Sequence, residues 1–227
     1  MIEEILPLGV KSAEAFDDLL PAPLFAEEEA LLTRSVDKRR REFATARACA
    51  RRALGELGLP PVAVLPGERG APQWPVGVVG SMTHCGGYRA AAVAWAEDLT
   101  TIGIDAEPAL PLPDGVLGLI TSAEERALLS GLTDTAPEVC WDRLTFCAKE
   151  AVYKAWFPVT KQWLGFTDAV VEINRDGTFI AQLLVTGPRG VEGFTGRWLV
   201  RDGLLLAAIA VVASPGVGTH GLASAVQ

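Results

Sequence analysis

The sequence predicts an α/β (α+β) fold built from two halves of similar plan, packed face to face. Three observations carry this. A helix-then-strands order occurs twice along the 227 residues. A proline-rich stretch, 108–113, separates the two runs. The length suits one large domain or two small ones with an ample core. The expected division is 1–102 for an N-terminal half, 103–213 for a C-terminal half and 214–227 for a mobile tail rich in Gly, Ala and Ser.

Taken in order, residues 1–30 read as an irregular, acidic lead-in broken by Pro7, Pro21 and Pro23. Over 35–57, Phe43, Ala46, Ala50, Ala53, Leu54 and Leu57 recur at helical spacing, and Gly58 with Pro60 ends the helix. Short β-type runs follow at 62–65, 78–81, 90–95 and 100–106, broken by Gly, Pro and Asp. The second half opens with helical patterns at 122–130 and 137–157. Strands then follow at 169–173, 179–185, 196–200 and 204–212, with Arg201-Asp202-Gly203 as the last turn.

Composition narrows the function. Hydrophobic residues are 49% and charged residues 21%, an ordinary globular balance. No run of about 18 apolar residues suggests a membrane span. Glu3 and Glu4 sit where a secretory signal would be basic, so the expected location is cytoplasmic. Cys49, Cys85, Cys140 and Cys147 form no CxxC pair and read as small thiols in a reducing compartment. With only two histidines, one of them His220 in the tail, a zinc site finds no support. The net charge of -8 argues against nucleic acid as a partner. Yet Arg34, Lys38, Arg39, Arg40, Arg41, Arg47, Arg51 and Arg52 stand against only Asp37 and Glu42, a patch suited to a compact anion.

Three constellations bear chemistry. In the run from Thr101 to Pro108, strand alternation sends Ile102, Ile104 and Ala106 to one face. Gly103, Asp105 and Glu107 go to the other, where Gly103 is expected to leave open space. Two adjacent carboxylates repel unless a cation lies between them, and Mg²⁺ takes one or two carboxylates with waters and phosphates. A solvated pair at a strand end is the competing reading.

In the run from Trp141 to Lys154, residues Trp141, Leu144, Ala148, Ala151 and Ala155 make a core stripe, with Lys149 and Glu150 away from it. On pattern alone, Glu150 and Lys154 would be an ordinary surface ion pair. In the third run, Val78 to Gly87, a strand leads into Ser81, Thr83, His84 and a glycine pair, groups that suit a phosphate contact. P-loop, Rossmann and hydrolase-elbow patterns are absent.

Together these segments resemble the 4'-phosphopantetheinyl transferases of the Sfp type. Gly103-Ile104-Asp105-Ala106-Glu107 is similar to that family's G-I-D-x-E strand. Phe146-Cys147-Ala148-Lys149-Glu150-Ala151-Val152-Tyr153-Lys154 is similar to its aromatic-x-x-K-E-A-x-x-K helix, and Asp105 and Glu150 stand 45 positions apart. Ser81-Met82-Thr83-His84 matches an upstream S-x-T-H segment. Lys38 to Arg47 and Gly67-Glu68-Arg69-Gly70 match basic coenzyme-binding segments. The runs Lys154 to Pro158 and Trp163 to Phe166 point to the actinobacterial branch. One departure is Phe146, where many members carry Trp.

The resemblance implies the family fold, with its halves in a pseudo-two-fold arrangement, and the activity of a holo-[acyl-carrier-protein] synthase type transferase. Phosphopantetheine would pass from coenzyme A to a serine of an acyl or peptidyl carrier protein, releasing 3',5'-ADP. Such carriers serve fatty acid, polyketide or nonribosomal peptide synthesis. It implies Mg²⁺, with Mn²⁺ as an alternative, on Asp105, Glu107 and Glu150. Arg39, Arg47, Arg69, Thr83 and His84 would hold the 3'-phosphate and nucleotide end, and Lys149 and Lys154 the pyrophosphate. Glu150 is the expected base, a metal-bound water being the alternative, and Lys154 the group that stabilises phosphate charge. A monomer is expected. The rivals are a Mg²⁺-dependent hydrolase and a coenzyme-A-binding regulatory module.

Overall fold

In the computed structural model, which describes residues 1–19, 22–187 and 191–213, the chain is a mixed helix-and-sheet protein with two antiparallel sheets. The expected tail, 214–227, and His220 within it lie outside the described residues. The N-terminal elements are β1 (Lys11–Ala15), α1 (Ala26–Ala30), α2 (Asp37–Glu56), β2 (Val78–Cys85) and β3 (Tyr88–Trp95). The rest are β4 (Leu99–Pro108), α3 (Val116–Ile120), α4 (Ala123–Thr135), α5 (Trp141–Thr160), β5 (Ala169–Ile173), β6 (Thr178–Leu183), β7 (Gly193–Arg201) and β8 (Leu204–Val212). One sheet has the order β1-β3-β2, the other β4-β8-β7-β6-β5.

Side-chain alternation explains how the layers stack. Ala50, Ala53 and Leu54 of α2 close on Ala91 and Val93 of β3. The opposite face of β3, Ala90, Ala92 and Ala94, packs on Ile102, Ile104 and Ala106 of β4 and Leu204, Leu206 and Ala208 of β8. The far side of the second sheet, through Leu205, Ala207 and Ile209, is covered by Leu144, Ala148, Ala151 and Ala155 of α5. The order is helix, sheet, sheet, helix. Being covered on both faces, β3 is apolar without a break from Ala90 to Ala94 rather than alternating.

The two halves share a buried device. Glu28 of α1 accepts from the N–H of Phe25 and the N–H of Val64, and pairs with Arg51 of α2 at 3.0 Å. Glu125 of α4 accepts from the N–H of Ser122 and the N–H of Val171, and pairs with Lys149 of α5 at 2.8 Å. The carboxylate precedes its cation by 23 residues in one half and 24 in the other. In each case a short helix is fastened to the long helix of its own sheet.

Several expectations change. Residues 1–30 are not merely a lead-in: β1 is an edge strand on β3, and Glu28 is wholly buried. The run 62–65 is no strand, because the Val64 amide goes to Glu28 and its carbonyl accepts from Arg47. The division expected after residue 102 falls inside β4, which pairs with β8 along its length. The last turn is as expected, with Asp202 and Gly203 at φ 50° and 74°, both left-handed. No helix among the described residues is long and apolar enough to cross a membrane.

Candidate active site

β4 is an edge strand, so its outer N–H groups need partners from outside its own sheet. β2 supplies them through side chains. The Ser81 hydroxyl accepts from the Ile104 N–H and the Thr83 hydroxyl from the Ala106 N–H, each at 3.1 Å. Thr83 also donates to Asp105 Oδ1 at 3.1 Å. This seam between the sheets is where the carboxylates lie. Gly103 sits against α5: a Cβ there would stand 2.1 Å from the Ala151 carbonyl oxygen. The open space expected beside Asp105 is therefore filled by the helix itself, and that close approach brings Lys154 to Asp105.

Lys154 Nζ donates to Asp105 Oδ1 at 2.7 Å and to the Ile104 carbonyl at 3.1 Å. The ordinary Glu150–Lys154 surface pair is thus not what forms. Burial opposes the charge on Lys154, but Asp105 and then Glu150 hold it above its ordinary value. Asp105 is 5% exposed, and its Oδ2 is buried with no hydrogen-bond partner. Glu107 pairs with Arg143 at 3.0 Å. Burial, and after it the charge of Asp105, pushes both Glu107 and Glu150 above the usual carboxylate value.

Among the described residues no three His, Cys, Asp or Glu side chains are gathered closely enough to hold a metal alone. Arg143 draws Glu107 aside, and Lys154 occupies Asp105 Oδ1. The donor set still fits Mg²⁺. That ion needs only one or two carboxylates beside waters and substrate phosphates. Asp105 Oδ2 is a buried oxygen in want of a partner, and the repulsion by Asp105 that adds to burial in raising Glu107 and Glu150 is what a cation relieves.

A cavity of about 1520 Å³ opens between α2, the loop 66–74, β2 and the second half of α5. Arg39, Arg47, Arg69, Thr83, His84, Glu150 and Lys154 all line it. Arg39 Nη1 and His84 Nε2 are 2.7 Å apart. A guanidinium cannot accept, so that ring nitrogen is the acceptor and the imidazole is neutral. Burial, then Arg39 and Lys154, push the His84 pKa down accordingly. Arg47 is 9% exposed, with its guanidinium carbon 3.7 Å from the Phe43 ring centroid. Arg69 stands at φ 52° on a tight turn, 5.2 Å from the Trp163 ring.

Two of the expected contacts fall otherwise. Lys149 does not line this cavity: it is 3% exposed and bonded to Glu125 and to the carbonyls of Phe166 and Ala169. An ammonium has three protons, and all three are taken. Its place off the apolar stripe misled because a buried carboxylate from α4 reaches it. Thr83 lines the cavity, but its hydroxyl is committed to Asp105 and Ala106. Lys149→Met should therefore lower stability by about 3–5 kcal/mol, since Glu125 is left buried and unpaired. It should leave anion binding in the cavity unchanged, which melting curves and a calorimetric titration check. Arg143 was missed, although it lies seven residues and two helical turns before Glu150.

A model of the 4'-phosphopantetheinyl transferase N-terminal domain matches residues 27–94, and one of the 4'-phosphopantetheinyl transferase superfamily matches 101–200. The chain is 54% identical to 4'-phosphopantetheinyl transferase Svp of Streptomyces mobaraensis, over 95% of this chain and 91% of that one. It is 52% identical to Npt of Nocardia iowensis, over 92% and 99%. Against PptT of Mycobacterium tuberculosis the identity is 46%, over 90% and 97%. Seam, carboxylates, basic cavity and these likenesses agree, and the chain belongs to the 4'-phosphopantetheinyl transferases.

Proposed function

We propose that this protein transfers 4'-phosphopantetheine from coenzyme A to a serine hydroxyl of an acyl or peptidyl carrier protein, with Mg²⁺ as cofactor. One observation carries the reading. A single cavity is lined by arginines and a neutral histidine suited to a phosphate and, within the same walls, by Glu150 and Lys154 beside buried Asp105.

Arg39 and Arg47, with Arg69 nearby, supply charged donors for the 3'-phosphate and nucleotide end. His84 keeps Arg39 directed into the cavity. Asp105, Glu107 and Glu150 would hold Mg²⁺, or Mn²⁺ in its place, which when bound supplies charge neutralisation on the pyrophosphate. Lys154 has two of its three protons engaged and one free for a phosphate oxygen. A serine hydroxyl is a weak nucleophile at neutral pH, and Glu150 is the base placed to take its proton. The oxygen then attacks the phosphorus nearest pantetheine and 3',5'-ADP leaves.

Intact-mass spectrometry of an apo carrier protein with coenzyme A and Mg²⁺ tests the reading. The expected result is a gain of one phosphopantetheine, abolished by EDTA. Coenzyme A bound but not turned over would refute it. For the base, Glu150→Gln should lower kcat by about 10²–10³-fold at saturating Mg²⁺. A base acts only when deprotonated, and the Glu150 pKa is raised, so wild-type kcat should fall as pH drops through that raised value. Near-normal turnover of the variant would place the base elsewhere.

A further inference from the structure

Arg89 is the buried cation that this mechanism leaves unused. It lies on β3 directly opposite His84 of β2, and it is 4% exposed. Its Nη1 donates to the carbonyls of Cys85 and Tyr88, at 2.6 and 3.1 Å, which bracket the hairpin turn just past His84. Its Nη2 meets Asp18 Oδ2 at 2.7 Å and Glu42 Oε1 at 3.4 Å. Glu42 is on α2, three residues and about one turn after Arg39. Beyond the apolar packing of Ala50, Ala53 and Leu54 on β3, two polar contacts join the start of α2 to the β2–β3 hairpin. Arg39 and His84 make the contact in the cavity; Glu42 and Arg89 make the buried one behind it.

An exposed guanidinium–imidazole contact is too weak to hold a helix at a fixed distance from a hairpin. The buried fork is hydrogen-bonded to Asp18 and two carbonyls and ion-paired with Glu42, so its plane is held. We propose that Arg89 is a positioning residue: it sets the spacing of α2 from the β2–β3 hairpin, and so the aim of Arg39 and His84 at the terminal 3'-phosphate of coenzyme A. This rests on the reading above that Arg39 and His84 take that phosphate.

The test compares coenzyme A with 3'-dephospho-coenzyme A in steady-state transfer to an apo carrier protein, using wild type, Arg89→Lys, Glu42→Gln and His84→Ala. Lysine keeps the charge but not the planar fork. The expected result for Arg89→Lys is a KM for coenzyme A raised about tenfold, with kcat and the KM for the dephospho form within twofold of wild type. A general loss of structure would instead move both substrates alike, and that outcome overturns the proposal. Should Arg89→Lys fail to fold, Glu42→Gln decides. It leaves the carbonyl and Asp18 contacts in place, and a selective rise of about threefold is expected. No selective rise overturns the inference. If wild type handles both substrates equally and His84→Ala changes neither, the phosphate assignment itself is wrong, a pattern distinct from failure of Arg89 alone.

Discussion

Gly103→Ala should abolish most activity and destabilise the protein, although it adds a single methyl group. The added carbon would meet the Ala151 carbonyl oxygen at 2.1 Å, the Ala155 amide nitrogen at 2.7 Å and the Ala155 Cβ at 2.9 Å. Two of those atoms are helix backbone, so no side chain can swing aside, and α5 must move off β4 as a body. Overpacking of this kind costs about 1–3 kcal/mol. The same displacement separates Lys154 from Asp105 and breaks the bond from the Thr101 hydroxyl to the Ala155 carbonyl, 2.8 Å long. A shift of about 1 Å in a reacting constellation lowers rate by about a hundredfold. A melting curve and an intact-mass time course on an apo carrier protein read the two effects. Normal turnover in a folded Gly103→Ala protein would show that α5 need not lie so close.

Asp105→Asn should separate activity from stability. The amide keeps the shape of the carboxylate but removes the charge that Lys154 and, on our reading, Mg²⁺ require. A fall in kcat of about 10²–10³-fold is expected, the scale of losing one preorganised electrostatic partner. The Lys154 side chain is 27% exposed, so water reaches its ammonium once the carboxylate is gone, and stability should fall less than in Lys149→Met. Coenzyme A should still bind, because Arg39, Arg47 and His84 are untouched. A calorimetric titration alongside the transfer assay checks both statements; retained turnover would remove Asp105 from the chemistry.

Much of the architecture is legible in the sequence. The α2 stripe, the strand β4 with its paired carboxylates and the α5 stripe follow from periods of 3.6 and 2 that burial imposes. Strands β5 and β8 have the bounds expected from their apolar runs. The legible parts share a property: each declares itself in a window of a few residues. What was missed depends on partners far away in sequence. Lys11–Ala15 has no strong alternation and is a strand because β3 offers it an edge. Nothing local to Glu28 or Glu125 signals burial, yet each is buried on backbone amides 36 and 46 residues distant.

The sequence by itself determined which chemical groups this protein has and roughly where along the chain they lie. The carboxylates at Asp105, Glu107 and Glu150, the lysine at Lys154 and the basic stretch of α2 could be named from residue type and spacing. Only the tertiary structure decided what each group does with its bonds. Lys149 and Lys154 are five residues apart on one helix. One is consumed by a buried carboxylate, while the other meets Asp105 with a proton to spare. Helical geometry sends them to different faces, but the burial and partner of each face are set by which elements pack there. That packing is a sum of contacts between segments remote in sequence, and no local pattern encodes it.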